Sequence, residues 1–237
     1  MKLTILGNNG PYPAAGGACS GYLLESDSGD TTILIDCGTG VLANLMGTGA
    51  LNRLDAVVLS HLHYDHMSDL LPMQYAIQFN PRRHPLPIYA PETPEFVRAS
   101  LDCGCYDLWP CRDVTVGEMR LSFNPARHPV ETNAISVTCD GARFVFTGDS
   151  NTDALLELFC EGADLLLADA GLSEADWTPA KPHFSAALCG ELAKIAKAKR
   201  LLLTHFNPKY DPAELLNEAR AHFPEAEIAE LREVYYI

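Results

Sequence analysis

Ala56-Val57-Val58-Leu59-Ser60-His61-Leu62-His63-Tyr64-Asp65-His66 is the stretch from which the rest of the chain can be read. An apolar run of strand length, 56–59, leads directly into three histidines and an aspartate, and a segment with helical spacing, 68–79, follows. In extended backbone, side chains two residues apart point the same way, so His61 and His63 stand side by side. Asp65 and His66 lie beyond them at a turn and can face a second point nearby. Three imidazoles and a carboxylate this close suit zinc or another borderline divalent cation. A merely solvated polar loop has no need to sit immediately beyond a buried strand.

Three further residues share that position at the end of an apolar run. His128 comes shortly after 119–123, Asp149 follows Phe144-Val145-Phe146-Thr147-Gly148, and His205 follows Leu201-Leu202-Leu203-Thr204. Singly, each has an ordinary explanation as a surface histidine or, for Asp149, a helix cap ahead of 151–159. Together with the first cluster they complete two coordination shells. His61, His63 and His128 would hold one cation, Asp65, His66 and His205 the other, with Asp149 bridging. A bridging carboxylate keeps two dications within about 4 Å of each other, and Gly148 removes a side chain where the backbone must approach. Neither shell is saturated by protein, as a catalytic site requires. A bound dication lowers the pKa of water from about 15.7 to roughly 7, so a hydroxide held there makes hydrolysis the natural chemistry.

Other apolar runs of strand length lie at 3–6, 22–25, 32–36, 87–90, 134–138, 143–147, 165–168, 201–204 and 234–237. Helical spacing recurs at 185–197, with Ser185 as N-cap and Lys194 and Lys197 at the C-terminal end, and at 93–101, 151–159 and 212–223. No Ser/Gly linker, composition break or sequence-level repeat divides the 237 residues. We therefore expect one α/β domain over 1–237, built from two face-to-face sheets with helices outside, although periodicity alone leaves other α/β layerings open. Hydrophobic residues make up 47% and charged residues 20%, which excludes a disordered chain. The 17 Lys and Arg against 31 Asp and Glu leave a net charge of −14, which argues against a large nucleic-acid surface. The opening apolar run is too short for a secretory signal, and none approaches the roughly 20 residues that cross a bilayer, so a cytoplasmic protein without membrane contact is expected. Of the 8 cysteines, Cys103, Cys105 and Cys111 form the one cluster; buried thiols are favoured over a structural zinc site because no C-x-x-C pair accompanies them.

His61-Leu62-His63-Tyr64-Asp65-His66 resembles the H-x-H-x-D-H motif of the metallo-β-lactamase superfamily, and His128, Asp149 and His205 fall in that family's order. Leu6-Gly7-Asn8-Asn9-Gly10-Pro11, Ser20-Gly21-Tyr22-Leu23-Leu24 and Leu34-Ile35-Asp36-Cys37-Gly38 are similar to the opening of its ribonuclease Z-like branch. The resemblance covers essentially the whole chain. It implies a four-layered αββα sandwich with two divalent ions at one edge, zinc first, with manganese and iron as alternatives, and with Asn8, Asn9 and the Gly-Pro turn bordering them. Lys181-Pro182-His183-Phe184-Ser185 matches the branch's histidine and hydroxyl ahead of a helix, the hydroxyl displaced by one through Phe184. By resemblance, His183 steadies the scissile phosphate or protonates the leaving oxygen, a task suited to an imidazole of ordinary pKa about 6.5. The alternative is a surface histidine beside a cap. Asp65 is expected to orient the attacking hydroxide as well as hold metal.

We therefore expect a dinuclear-metal phosphodiesterase for a small phosphodiester or nucleotide-derived ester. A tRNA 3′-processing endoribonuclease comes second, because the basic, Gly-rich arm that such enzymes use to grip tRNA has no counterpart between His66 and His128. A lactonase, esterase or thioesterase follows, weakened by Met67-Ser68-Asp69, and a redox use would need iron. A non-catalytic, metal-stabilised binding module comes last. Relatives often pair, so a homodimer is one open assembly. Arg82, Arg83 and His84 are read as solvated, His222 as a helix-end cation, and Trp109 and Trp177 as core or rim packing.

Overall fold

In the computed structural model, which describes residues 1–237, the apolar runs pair into two seven-stranded sheets. The first holds β1 (Lys2–Gly7), β2 (Gly21–Glu25), β3 (Thr32–Ile35), β4 (Ala56–Val58), β5 (Leu86–Ala90) and β6 (Tyr106–Pro110), with the last strand, β14 (Val234–Tyr236), beside β1. The second holds β7 (Val114–Val116), β8 (Met119–Pro125), β9 (Asn133–Cys139), β10 (Ala142–Phe146), β11 (Leu165–Asp169), β12 (Leu201–Thr204) and β13 (Glu227–Ile228). Read from β14 and from β7, both sheets show three antiparallel pairings and then three parallel ones. The halves are thus alike in pairing although no repeat is visible in the sequence.

The central strands are apolar on both faces because each sheet is covered twice. Ile33, Ile35, Val58, Leu165, Leu167 and Leu202 meet between the sheets. Leu34 and Val57 point the other way, onto Val41 and Leu45 of α1 (Val41–Thr48) and Met73 and Ile77 of α3 (Leu70–Phe79), which follows the single turn α2 (Tyr64–Met67). In the second half, Leu166, Ala168, Leu201 and Leu203 face Leu156 of α5 (Ala154–Cys160), Leu192 of α6 (Ala186–Ile195) and Leu215 of α7 (Pro212–Arg220). Another short helix, α4 (Glu95–Ala99), packs Val97 into the first half. Three apolar seams therefore separate four layers, as the αββα expectation has it. No helix is long and apolar enough to cross a membrane.

Where the chain departs from the sequence reading, local causes are visible. The segment 68–79 begins instead with α2, so Asp65 and His66 lie on a helical turn. Helix α5 starts at Ala154, and its cap is Asp153, whose carboxylate accepts from Leu155 N at 2.7 Å; Asp149 is not a cap. Helix α1 was not evident because Gly40 and Gly49, both left-handed at φ 92 and 70, bound only eight residues. Strands β6 and β7 are sheet edges, one ending in proline and the other three residues long, and such edges carry weak patterns. Ser185 caps α6 as expected, accepting from Leu188 N.

Tyr22 and Phe146, from opposite sheets, meet edge to face at 4.9 Å and are both fully buried. Phe146→Ala should therefore cost about 3–5 kcal/mol in denaturant unfolding, and a loss below about 1 kcal/mol would show that the sheets do not depend on this seam.

Candidate metal centre

The parallel strands of both sheets end along one edge, and nearly every polar residue of interest follows such an end. Asp36 follows β3, Ser60 and His61 follow β4, Asp149 follows β10, Asp169 ends β11 and His205 follows β12. His128 lies on the turn between β8 and β9. A strand end is where backbone pairing stops and side chains from neighbouring strands converge, the usual ligand edge of an α/β sheet. Asp36 and His205 take left-handed backbone (φ 55 and 59), and Gly148 does so at φ 60. That conformation is uncommon for residues other than glycine and clusters at functional sites.

Three groups of potential donors share Asp149, one of them with Asp169, His183 and His205; the other two match the shells expected from the sequence. His63 Nδ1 lies 2.9 Å from His61 Nε2 and 3.1 Å from His128 Nε2, with Asp149 Oδ2 at 3.7 and 4.0 Å from the latter two nitrogens. On the other side, His205 Nε2 lies 3.2 Å from Asp65 Oδ2 and 3.4 Å from Asp149 Oδ2. His66 Nε2 lies 3.5 Å from Asp65 Oδ2 and 3.3 Å from Asp149 Oδ1. Donors about 2.1 Å from one ion and 90–110° apart are about 3.0–3.4 Å from each other. The three histidines of the first side and the Asp65, His66, Asp149 and His205 side lie close to that spacing, while Asp149 Oδ2 stands farther off the first side at 3.7 and 4.0 Å. Buried His66 Nε2 and Asp149 Oδ1 make no hydrogen bond. Orphaned polar atoms in the interior are costly unless a further partner takes them, and a cation between them is such a partner. The nitrogen and oxygen set also suits zinc chemically.

A second ring of contacts orients the imidazoles. His66 Nδ1 sits 2.7 Å from Asp36 Oδ2, and that carboxylate also accepts from Ser60 N at 2.7 Å and Ser60 Oγ at 2.8 Å. His128 Nδ1 donates to the Pro182 carbonyl at 3.1 Å, leaving Nε2 as a lone-pair donor. Asp169 is placed 2.9 Å from His183 Nδ1 and 3.2 Å from His205 Nδ1. The His183 ring stacks on His205 at 5.1 Å and lies 5.4 Å from His128, against both groups. The sequence pattern does not single out Asp36 and Asp169 as site residues, although both stand at the end of an apolar run just as Asp149 does.

The protein's own charges divide the imidazoles. Burial, followed by repulsion from His66, holds His61 well below the ordinary histidine value, and burial likewise lowers His63 and His128. Burial also opposes protonation of His66 and His205, but the surrounding carboxylates, Asp149 first, outweigh it. His66 is driven well upward and His205 is pushed up to about 10. Burial is again outweighed at His183, where Asp169 raises the pKa.

Other sequence candidates lie outside this cluster. Asn8 donates to Ala229 O at 2.7 Å and Asn9 accepts from Ala14 N at 3.1 Å, so their amides brace loops. Arg82 is not simply solvated: its guanidinium donates to the Leu51 and Leu54 carbonyls, whereas Arg83 and His84 are exposed. His222 pairs with Glu191 at 3.4 Å just past α7. Trp177 donates to Asn151 and Trp109 to Asp107. The cysteines are all free, Cys103 and Cys105 pack against the first helical seam, and none joins a metal-grade group.

A family model described as Beta-lactamase superfamily domain matches residues 31–206. The chain is 36% identical over 214 residues to the probable metallo-hydrolase YhfI of Bacillus subtilis (strain 168), spanning 86% of each. A crystal structure of YhfI superposes with a TM-score of 0.92 at 34% identity, covering 99% of this chain and 98% of that one. Ribonuclease Z of Mycolicibacterium gilvum is 30% identical over 258 residues, spanning 90% of this chain and 87% of the relative. Human tRNase Z, short form, shares the fold at a TM-score of 0.82 and 23% identity, covering 100% and 99%.

Two outcomes test the geometry. Asp36→Asn should weaken zinc binding about 10–100-fold in competition with a chromophoric chelator; unchanged affinity would leave Asp36 a purely structural partner of Ser60. Zinc should also bind more weakly at about pH 6 than at about pH 8, because protons held by His66 and His205 must be displaced. Affinity independent of pH would point to other ligands.

Proposed function

Because this chain belongs to the metallo-β-lactamase superfamily and is a metallo-hydrolase with ribonuclease Z-like relatives, we propose that it is a dinuclear phosphodiesterase acting on a small phosphodiester or nucleotide-derived ester. His61, His63 and His128 would hold one divalent ion, Asp65, His66 and His205 the other, and Asp149 would lie between them, with zinc the first choice and manganese or iron the alternatives. Bound there, two dications supply Lewis-acid charge for a phosphoryl oxygen and acidify water.

The observation that carries the proposal is His183. Its Nδ1 is pinned by the buried Asp169 carboxylate at 2.9 Å, and Nε2 has no protein hydrogen-bond partner. Asp169 raises the proton affinity of this ring above that of an ordinary histidine, and the ring lies against both donor groups. Nε2–H can then donate to a non-bridging phosphoryl oxygen, or pass its proton to the leaving oxygen as the ester bond breaks. An imidazole whose hold on a proton is strengthened by Asp169 favours an anionic phosphodiester over a neutral lactone at this point. Asp65 Oδ2 faces His205 at 3.2 Å, and its other oxygen has no protein partner and can accept a hydrogen bond from the attacking water.

Small substrates are favoured by the net charge of −14 and by the course of the chain between His66 and His128. Helices α3 and α4 and strands β5 to β8 consume that stretch, and its longest connections are residues 80–85 and 100–105. Neither offers an arm for gripping a tRNA, so tRNA processing, brought forward by the ribonuclease Z relative, stays second. The protein is read as cytoplasmic.

After metal loading, bis-p-nitrophenyl phosphate and a cyclic nucleotide should be cleaved faster than a pre-tRNA or a lactone. Turnover of the lactone alone would overturn the proposal. Metal-dependent thermal stabilisation without turnover of any substrate would make the chain a binding module. His183→Ala should lower phosphodiester kcat about 10²–10⁴-fold at unchanged metal content; a parallel loss of metal would assign His183 a structural role.

A further inference from the structure

We infer that Gly10 is a positioning residue for one half of this site: the lack of a side chain at position 10 is what lets His205 bring Nε2 to Asp65 and Asp149. The inference rests on the two-cation reading above. A Cβ built on Gly10 would overlap the His205 imidazole, with Nε2, Cδ2 and Cε1 as its three nearest atoms, all inside 3.0 Å. Its backbone does not lie in the left-handed region, so conformational freedom is not what the glycine supplies. Close approach is.

Neither partner can easily retreat. Gly10 N donates to Phe206 O at 3.2 Å, Phe206 N donates to Asn8 O at 2.8 Å, and Asn9 N donates to Ala18 O at 3.0 Å, which ties the loop to the residue directly after His205. The His205 ring stacks on His66 at 5.2 Å and on His183 at 5.1 Å, with Nδ1 3.2 Å from Asp169. Added bulk at position 10 must therefore turn the ring or cover Nε2. His61, His63 and His128 make no hydrogen bond to this loop and should keep their arrangement. Position 10 thus controls how many cations the chain holds, and it acts on the Asp65, His66 and His205 group alone.

The test uses the full-length chain, saturated with zinc, freed of excess and assayed by elemental analysis. Wild type should hold two zinc ions, and Gly10→Ala and His205→Ala about one each. Two ions retained by Gly10→Ala would overturn the inference. One ion or none in wild type would sink the two-cation reading instead. In that case imidazole ¹⁵N–¹H correlations decide: Gly10→Ala should displace the His205 signals and leave those of His61, His63 and His128 in place, and unmoved His205 signals would refute it. If Gly10→Ala fails to fold, the double variant Gly10→Ala/His205→Ala separates the causes. Recovery of folding would place the clash on the His205 ring, whereas failure of the double variant, with His205→Ala folded, would place the role of Gly10 elsewhere.

Discussion

Four carboxylates, Asp36, Asp65, Asp149 and Asp169, are buried together at one edge of this sandwich. Withdrawing a carboxylate from water costs several kcal/mol even after the surroundings relax, at about the scale of a whole domain's net stability when four are summed. Such a cluster persists only if positive charge accompanies it. Imidazoles at His66 and His205 supply part of that charge by holding protons, and divalent cations would supply it in a form that also does chemistry. Stability of the fold edge and readiness for catalysis are therefore aspects of one electrostatic requirement.

The division of the imidazoles follows from placement. His61, His63 and His128 face one another and one carboxylate, so burial dominates and they stay neutral, ready to donate lone pairs. His66 and His205 stand among several acids and keep their protons until something more positive replaces them. The backbone enforces the arrangement: four parallel-strand ends deliver Asp36, His61, Asp169 and His205 to the same edge, and Asp149 arrives beside them from β10. Rigid sheets hold these groups more tightly than a loop cluster could, and outer contacts such as Asp36 to His66 and Pro182 to His128 set which nitrogen faces inward.

Much of the site was legible in the chain because metal chemistry is conspicuous at short range. Three histidines and an aspartate within residues 61–66 have few other uses directly after a buried strand. Asp36 and Asp169 escaped notice for the opposite reason. A single aspartate ending an apolar run looks like an ordinary strand boundary, and only its neighbour across space distinguishes it. Helix α1 and edge strands β6 and β7 were hidden by brevity, since a few residues carry too little periodicity to register.

The amino-acid order alone determined the alternation of strands and helices, the two-faced burial of the central strands and the residue types that could meet a cation, because these depend on local patterns of polarity. Tertiary structure alone decided that Asp36 and Asp169 stand behind the donors and that Gly10 lies against His205. Those facts depend on contacts between residues far apart in the chain, such as Asp65 with His205, and distance along a sequence holds no information about which distant side chains will share a cavity.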